Sequence, residues 1–244
     1  PVAGDLMVTR WGYEAMAVAQ FKDNPYERNL YPIEKKFSQA SFYADDVIPA
    51  LQNILGKALT TRDKDSAALF TGVLRNEIEK TGEFADLFPF EYLSQLGNLA
   101  TNENLAGETE GYLTYVALHF RDQQAALTEM RNQRIDSLKQ ALGPEGLTAL
   151  INSSHNQALA ALVTQRDNGV PYTITGDRLV RRTDEIFQEP DSKAGRARLF
   201  VPQKMVNEQK TDTLWFNLTI IWIFSALFYL LVLFDAPALF RKSR

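Results

Sequence analysis

The side chains most able to carry out chemistry are few and far apart in this sequence. Its two histidines, His119 and His155, stand 36 residues apart, and it contains no cysteine. Neither histidine has a ligand-type partner at the i, i+4 spacing that puts two metal ligands on one helix face. The carboxylates of Glu103, Glu108 and Glu110 belong to the stretch NENLAGETEG, whose composition is typical of a solvated polar loop. We therefore expect no metal site and no glycosidase-type pair of carboxylates.

Motifs of nucleotide and acyl-transfer sites are also missing from the sequence. It contains no GxxxxGK[ST], no GxGxxG and no GxSxG, the patterns of P-loop, dinucleotide and serine-hydrolase sites. The net charge of -4 is spread without long blocks of like charge, which argues against a nucleic-acid partner. We expect no catalytic residue, no bound cofactor and no enzyme activity within this chain.

The clearest physical signal is an uncharged run near the C-terminus. Residues 214–234 contain no charged side chain, and a helix of that length spans roughly 31 Å, the thickness of a bilayer's hydrocarbon core. The aromatic Trp215 stands near one end, where aromatics favour the membrane interface. A buried core helix of a soluble protein is the alternative, but so long an uncharged run is rare there. We predict a transmembrane helix over residues 213–235.

Basic residues after this run predict the orientation of the chain. Arg241, Lys242 and Arg244 follow the span, and an excess of cations marks the cytoplasmic side. We expect residues 236–244 to form a cytoplasmic basic tail and residues 1–212 to lie mostly outside. An external domain needs a means of export, and the chain starts at Pro1 without a signal peptide, so we expect a fragment of a longer membrane protein.

The remainder of the sequence predicts a mainly α fold. A mean hydropathy of -0.24 fits one span that carries a large water-exposed domain. Apolar periodicity over residues 29–169 indicates an external helical bundle. The predicted helix boundaries are a start at Asp45–Asp46, a stop at Gly82, a stop at Gly143–Pro144 and a last helix from about Leu147 to Arg166. Residues 170–212 are predicted to be an extended return segment with a β-hairpin around Gly176–Asp177.

The N-terminal segment, residues 1–28, combines apolar residues with charges in one helix. It is predicted to be helical from Met7 to Lys22 with Thr9 as N-cap, which places Arg10 and Glu14 one turn apart. Such charges forbid a simple lipid-facing span, and they suit a helix that packs on protein or dips partway into the membrane. An amphipathic surface helix is the alternative. Asn217 in the span is expected to face another helix or the wet interface, because an amide is costly in lipid.

Two segments resemble one membrane-protein family. The sequence RWGYEAMAVAQF, from Arg10 to Phe21, resembles the re-entrant helix after the fifth span of G-type ABC exporter permeases, which carries an Arg-aromatic-x-x-x-Ala pattern. The segment that begins DTLWFN and ends in FD is similar to the sixth and last span of that family. The middle of the chain differs, since it is long, helical and cysteine-free, as in bacterial members with an enlarged external domain.

The resemblance implies a function and several partners. The chain would be the permease portion of an ATP-driven exporter in the bacterial inner membrane, packed with other transmembrane helices in a dimer. Its external domain would gate or hand off the exported molecule. ATP and magnesium would bind an ATP-binding cassette outside this chain. Six residues receive roles by resemblance: the polar pair Arg10 and Glu14, the re-entrant helix packing residues Trp11 and Phe21, and the last-span packing residues Trp215 and Asn217.

Two other functions remain open on the sequence. A single-span, membrane-anchored scaffold or adaptor of the cell envelope would have the same span and a similar helical domain, and it would bind an envelope partner. A membrane-anchored enzyme would need a catalytic constellation, which the residue types and spacings above do not provide.

Overall fold

The computed structural model describes residues 7–166, 169–190 and 198–234, except for the side chains of Ala100 and Glu103. In this part of the chain the fold is mainly helical, with seven α-helices and two small antiparallel sheets, which confirms the predicted fold class. The predicted basic tail, residues 236–244, lies outside the described residues, as does part of the predicted return segment.

The elements follow one another with short connections. In chain order they are α1 (Val8–Lys22), α2 (Tyr31–Ser41), a π-helical segment (Phe42–Val47), α3 (Ile48–Thr60), α4 (Lys64–Ala85), α5 (Glu103–Ser154), α6 (Gln157–Thr164), β1 (Tyr172–Thr175), β2 (Arg178–Arg181), β3 (Gln203–Val206), β4 (Gln209–Asp212) and α7 (Thr213–Leu233), with 3-10 turns at Glu27–Asn29, Leu93–Thr101 and Glu185–Phe187.

The chain divides into two compact units. The bundle unit comprises residues 30–147 and 165–184, and the span unit, which contains the long apolar helix α7, comprises residues 1–29, 148–164 and 185–244. The predicted boundaries differ from these, because they assigned residues 148–164 to the bundle and residues 170–184 to the return segment. The long helix α5 contributes to both units.

The core of the bundle unit is formed by the apolar faces of α3, α4 and α5. Ile48, Leu51, Ile54 and Leu55 of α3 are buried at helical spacing, as the sequence periodicity predicted. Aromatic rings close one side of the core, where Tyr43 stacks on Phe120 with ring centroids 4.8 Å apart.

Asp45 and Asp46 do not start a helix, contrary to the prediction. The chain is already helical at Tyr31, and it passes through the π-helical segment into α3. The widened turn shows in the backbone, since the Ile48 N–H donates to the Tyr43 carbonyl, five residues back. Pro49 follows Ile48 and has no N–H to donate. The hydrogen-bonding pattern therefore changes from π-helical to α-helical beside a residue that lacks a backbone donor.

Gly82 does not end α4, contrary to the prediction. The helix continues to Ala85, and Gly82 is buried inside it. A glycine suits this position because a Cβ there would lie 2.9 Å from the Tyr112 hydroxyl. The end of the helix is formed by Asp86 in the left-handed region (φ 52°, ψ 43°), with the Leu87 N–H donating to the Gly82 carbonyl at 3.0 Å. This is a Schellman motif with aspartate where glycine is usual.

Helix α5 includes the stretch that was predicted to be a polar loop, and it is interrupted at the predicted stop, Gly143. It begins at Glu103, so the stretch predicted to be a polar loop is helical, with Leu105 and Thr109 buried on its inner face. Gly143 leaves helical geometry at φ 74° and ψ 166°, which agrees with the predicted stop, but the helix resumes and runs to Ser154. The predicted last helix is therefore wrong as a single element, since α6 is separate and starts behind Asn156, whose Oδ1 accepts from the Leu159 N–H at 3.0 Å.

The first β-hairpin confirms the prediction around Gly176–Asp177, with β1 and β2 paired antiparallel. It belongs to the bundle unit, because the Leu179 N–H donates to the buried Glu77 carboxylate at 2.9 Å. The second hairpin, β3 and β4, was not predicted. Its turn has Asn207 and Glu208 at φ 47° and 70°, the two positive values of a type I′ turn.

The cap of α4 yields a stability prediction. Replacing Asp86 with glycine is expected to stabilise the chain by about 0.5–1 kcal/mol, because glycine occupies the left-handed region without steric strain. The measurement is the urea midpoint of the detergent-purified chain, followed by helical circular dichroism. The control is Asp86→Ala, which removes the same charge but keeps a Cβ. A midpoint raised equally by both variants would show that charge, not backbone strain, is responsible.

Candidate functional site

Helix α7 is the one helix in the described part of the chain that is long and apolar enough to cross a membrane. Its mean hydropathy over the best window reaches 2.2, and 6% of that window is buried. A core helix of a soluble protein would bury most of its apolar side chains, whereas Trp222 and Val232 are 73% and 76% exposed. The buried residues of α7 are Thr213 and Asn217, both in its first turns.

Helix α1 packs along this first part of α7 in the opposite direction. The Trp11 and Phe216 rings lie 6.2 Å apart, and a Cβ on Gly12 would lie 3.9 Å from the Ile221 side chain. At the other end of α1, Lys22 forms an ion pair with Asp212, the N-cap residue of α7. Ile221 is eight residues beyond Thr213, so the contact with α1 extends about 12 Å along α7.

A buried polar cluster lies at this packing interface. Glu14 of α1 and Lys204 of β3 are fully buried, and the Lys204 Nζ donates to Glu14 Oε1 at 2.5 Å. The second oxygen, Glu14 Oε2, accepts from the Asn217 amide of α7 at 3.1 Å. The cluster therefore ties one side chain from each of three elements together, and both carboxylate oxygens have donors.

The Asn217 amide is fixed in one orientation by its neighbours. Its Nδ2 also donates to the Trp11 carbonyl at 3.1 Å, so both contacts on that side require a donor. The opposite atom, Asn217 Oδ1, is buried and accepts no hydrogen bond from the described residues. A buried acceptor without a donor costs about 1–3 kcal/mol, which a single bound water would relieve.

A second ion pair repeats the arrangement with the charges reversed. Lys22 of α1 pairs with Asp212 at the end of β4, and Asp212 Oδ1 also accepts from the Leu214 N–H at 2.9 Å as the N-cap of α7. Burial raises the pKa of the neighbouring Asp23 carboxyl; Lys22 opposes that shift and Asp212 adds to it. Together, the pairs Glu14–Lys204 and Lys22–Asp212 form what we call the double clamp, which joins α1 to the β3–β4 hairpin.

The most exposed residues along α1 are uncharged, although Arg10 is partly exposed. These most exposed residues are Met7, Thr9, Tyr13, Met16 and Gln20. The charge of Glu14 is directed into the protein, and the guanidinium of Arg10 lies over the Trp11 ring, 5.1 Å from its centroid. Thr9 is not the N-cap of α1, contrary to the prediction, because the helix starts at Val8 and Met7 is its N-cap. The interior thus takes up the charge of Glu14, while Arg10 stays partly exposed beside the Trp11 ring.

The structure brings most of the resemblance-derived residues into one interface. Trp11, Glu14 and Asn217 meet directly, and Phe21 packs edge-on against Phe187 with centroids 6.0 Å apart. Trp215 is 66% exposed and packs little against protein. The pairing of Arg10 with Glu14 stays a prediction.

Sequence reasoning missed the two hairpin residues of the double clamp. Lys204 and Asp212 are each 190 residues from their partners, a separation at which spacing carries no signal. Lys204 stands between Gln203 and Met205 in VPQKMV, and a lysine in such a setting is common in exposed strands.

The histidines do not assemble a metal site. His119 contacts Gln123 at 2.8 Å on an exposed helix face, and His155 contacts the buried Glu27 carboxylate at 2.9 Å within the span unit. In the described ranges, no group of three or more His, Asp and Glu side chains is arranged to hold a metal ion.

Comparisons with protein-family models, with curated proteins and with solved structures gave no match to this chain. The function must therefore be argued from the residues and their geometry.

The buried pair leads to a thermodynamic prediction. Glu14→Met or Lys204→Met alone should destabilise the detergent-purified chain by about 3–5 kcal/mol, because each leaves its partner as an unpaired buried charge. The double variant should cost clearly less than the sum of the two, since no charge is then stranded. The measurement is the free energy of unfolding in urea for all four chains of the cycle.

The same span unit offers a matched control for that cycle. Lys210 and Glu189 form an ion pair at 2.9 Å whose side chains are 48% and 42% exposed. Replacing either with methionine should change stability by less than about 1 kcal/mol. Equal and additive effects at the two pairs would contradict the buried-charge account of Glu14 and Lys204.

Proposed function

We propose that this chain is the C-terminal part of the transmembrane subunit of an ATP-driven ABC exporter. In this proposal α1 is the re-entrant helix and α7 is the last span. The observation that carries it is the packing of α1 along the first turns of α7, with its Glu14 carboxylate turned inward and no charge among its most exposed residues.

Membrane depth follows from this packing if α7 spans the bilayer. The part of α1 beside Ile221 then lies about 12 Å along the span, where a lipid-exposed charge is expensive. A helix satisfies its own backbone, and the cluster satisfies Glu14, so α1 can occupy that depth. A surface helix in water can carry charges on its most exposed positions, whereas a helix at membrane depth cannot. The uncharged residues at the most exposed positions of α1 therefore favour the re-entrant placement.

The two packed helices are also the two segments that carry the resemblance to G-type exporter permeases. RWGYEA belongs to α1 and DTLWFN begins at the N-cap of α7. Sequence resemblance alone did not require these segments, more than 200 residues apart, to touch, and their contact supports the proposal.

The geometry suggests how movement of the span would reach the external part of the chain. Asp212 ends β4 and caps α7, so the hairpin continues into the span without a linker. The double clamp then holds α1 to the same hairpin. ATP-driven rocking of the spans would carry α1, the hairpin and the start of α7 as one body, and transport requires two such states. The bundle unit would gate or hand off the exported molecule.

The proposal has a definite topology and set of partners. Residues 1–212 lie mostly outside the bacterial inner membrane, and the basic tail is cytoplasmic. The chain packs with further spans in a dimeric transporter, and ATP and magnesium bind a cassette outside this chain.

Native purification tests the proposal. A tag placed after Arg244 in the chromosomal gene should recover, from detergent extracts, an assembly that hydrolyses ATP with vanadate sensitivity and whose tagged polypeptide or partner contains a cassette. The control is the same purification from a strain in which the tag is on an unrelated inner-membrane protein. A tagged protein of this chain's mass, without copurifying ATPase, would contradict the exporter and favour the single-span scaffold.

A further inference from the structure

A cavity of about 340 Å³ opens in the bundle unit beside the π-helical segment. The apolar part of its wall is formed by Phe37, Phe42, Val170 and Pro171. Asp46 and several other polar side chains form the rest of the wall. This volume is at the lower end of the range for small-molecule sites. Polar side chains make up about half of the wall, so a ligand there would need polar as well as apolar groups. A π-helical turn in a helix is often associated with function.

Most of the charge in the cavity wall is already committed to one structural network. The buried Asp184 carboxylate accepts from Ser38 Oγ at 2.8 Å and from Arg181 Nη2 at 2.7 Å. It also accepts from Arg166 Nε at 2.7 Å and Nη2 at 3.1 Å. The Arg181 guanidinium lies over the Phe42 ring, 4.6 Å from its centroid. With four donors on one carboxylate, this network holds the first hairpin on α2, and its arginines are positioned by Asp184.

Asp46 differs from the other charged groups of the cavity. Its carboxylate is half-buried in the wall and forms no hydrogen bond or ion pair within the described ranges. Burial raises its pKa; Arg181 opposes that shift, and Asp45 and Asp184 add to it. The adjacent Asp45 is exposed and bonded, since it accepts from Ser41 Oγ at 2.7 Å and from the Gln124 amide at 3.0 Å. The widened turn thus places one carboxylate on the cavity and leaves it without a donor.

We propose that this cavity binds a small organic cation, a primary amine with a compact aromatic or apolar body. The ammonium group would donate to the Asp46 carboxylate, and the body would lie against Phe37, Val170 and Pro171. A charge-assisted hydrogen bond to a half-buried carboxylate supplies affinity and selects a cation. An anion is disfavoured, because the arginines nearby are bonded to Asp184 while Asp46 would repel it. This inference stands independently of the proposed transport function.

Calorimetric titration of the detergent-purified full chain with 2-phenylethylamine tests the proposal. We expect saturable binding at millimolar concentrations or below, and Asp46→Asn should weaken it by about tenfold or more. The matched control is Asp45→Asn, which removes the same charge one residue away, outside the cavity, and should keep the affinity of the unmodified chain. The neutral isostere 2-phenylethanol should give no saturable heat, and empty micelles report partition into detergent.

A second variant keeps the test decisive if Asp46→Asn were to misfold. Val170 is 54% exposed at the cavity wall, so Val170→Trp adds bulk at the site without disturbing the core, and it should also abolish binding. Circular dichroism and the unfolding midpoint confirm that each variant is folded. The proposal is overturned by absence of saturable amine binding to the unmodified chain, by equal losses in Asp45→Asn and Asp46→Asn, or by equal binding of the alcohol.

Discussion

The arrangement of the span unit depends on the buried ion pair between Glu14 and Lys204. Both side chains are removed from water, which is unfavourable for each charge alone and is compensated only when the two stay together with further donors in place. Asn217 supplies such a donor, so its position on α7 is coupled to the position of α1. Any displacement of α1 along α7 would separate the pair in a medium of low dielectric constant, and the cluster therefore fixes the register of the two helices.

This constraint also explains the unusual composition of α1. A helix with glutamate, arginine and lysine reads as a surface helix when its charges are taken one by one. In the structure, Glu14 is directed to Lys204 and Asn217, and Lys22 is directed to Asp212. Arg10 lies over the Trp11 ring and is partly exposed. Polar groups are tolerated at membrane depth when they face protein and are paired. The double clamp provides that condition for the placement we propose.

Some of this could be predicted from the sequence, for identifiable reasons. An uncharged run of span length, a Gly-Asp turn and an asparagine in an apolar helix are local signals, and they indicated α7, the first hairpin and a packing role for Asn217. Lys204 was out of reach, because a buried ion pair between residues 190 positions apart leaves no trace in spacing. Gly82 was misinterpreted because its requirement is space for Tyr112, a tertiary contact, and the second hairpin was missed because its turn lacks glycine.

The most direct test of the central claim is paired-cysteine cross-linking in native membranes, for which the cysteine-free sequence is well suited. Gly12→Cys and Ile221→Cys should be joined efficiently by a short thiol cross-linker, because a Cβ on Gly12 lies 3.9 Å from Ile221. The control pair is Gly12→Cys with Trp222→Cys, one residue further on and on the exposed face of α7. Efficient joining of the first pair and little of the second is the predicted result. Equal joining of both pairs, or joining of neither, would contradict the packing of α1 on α7.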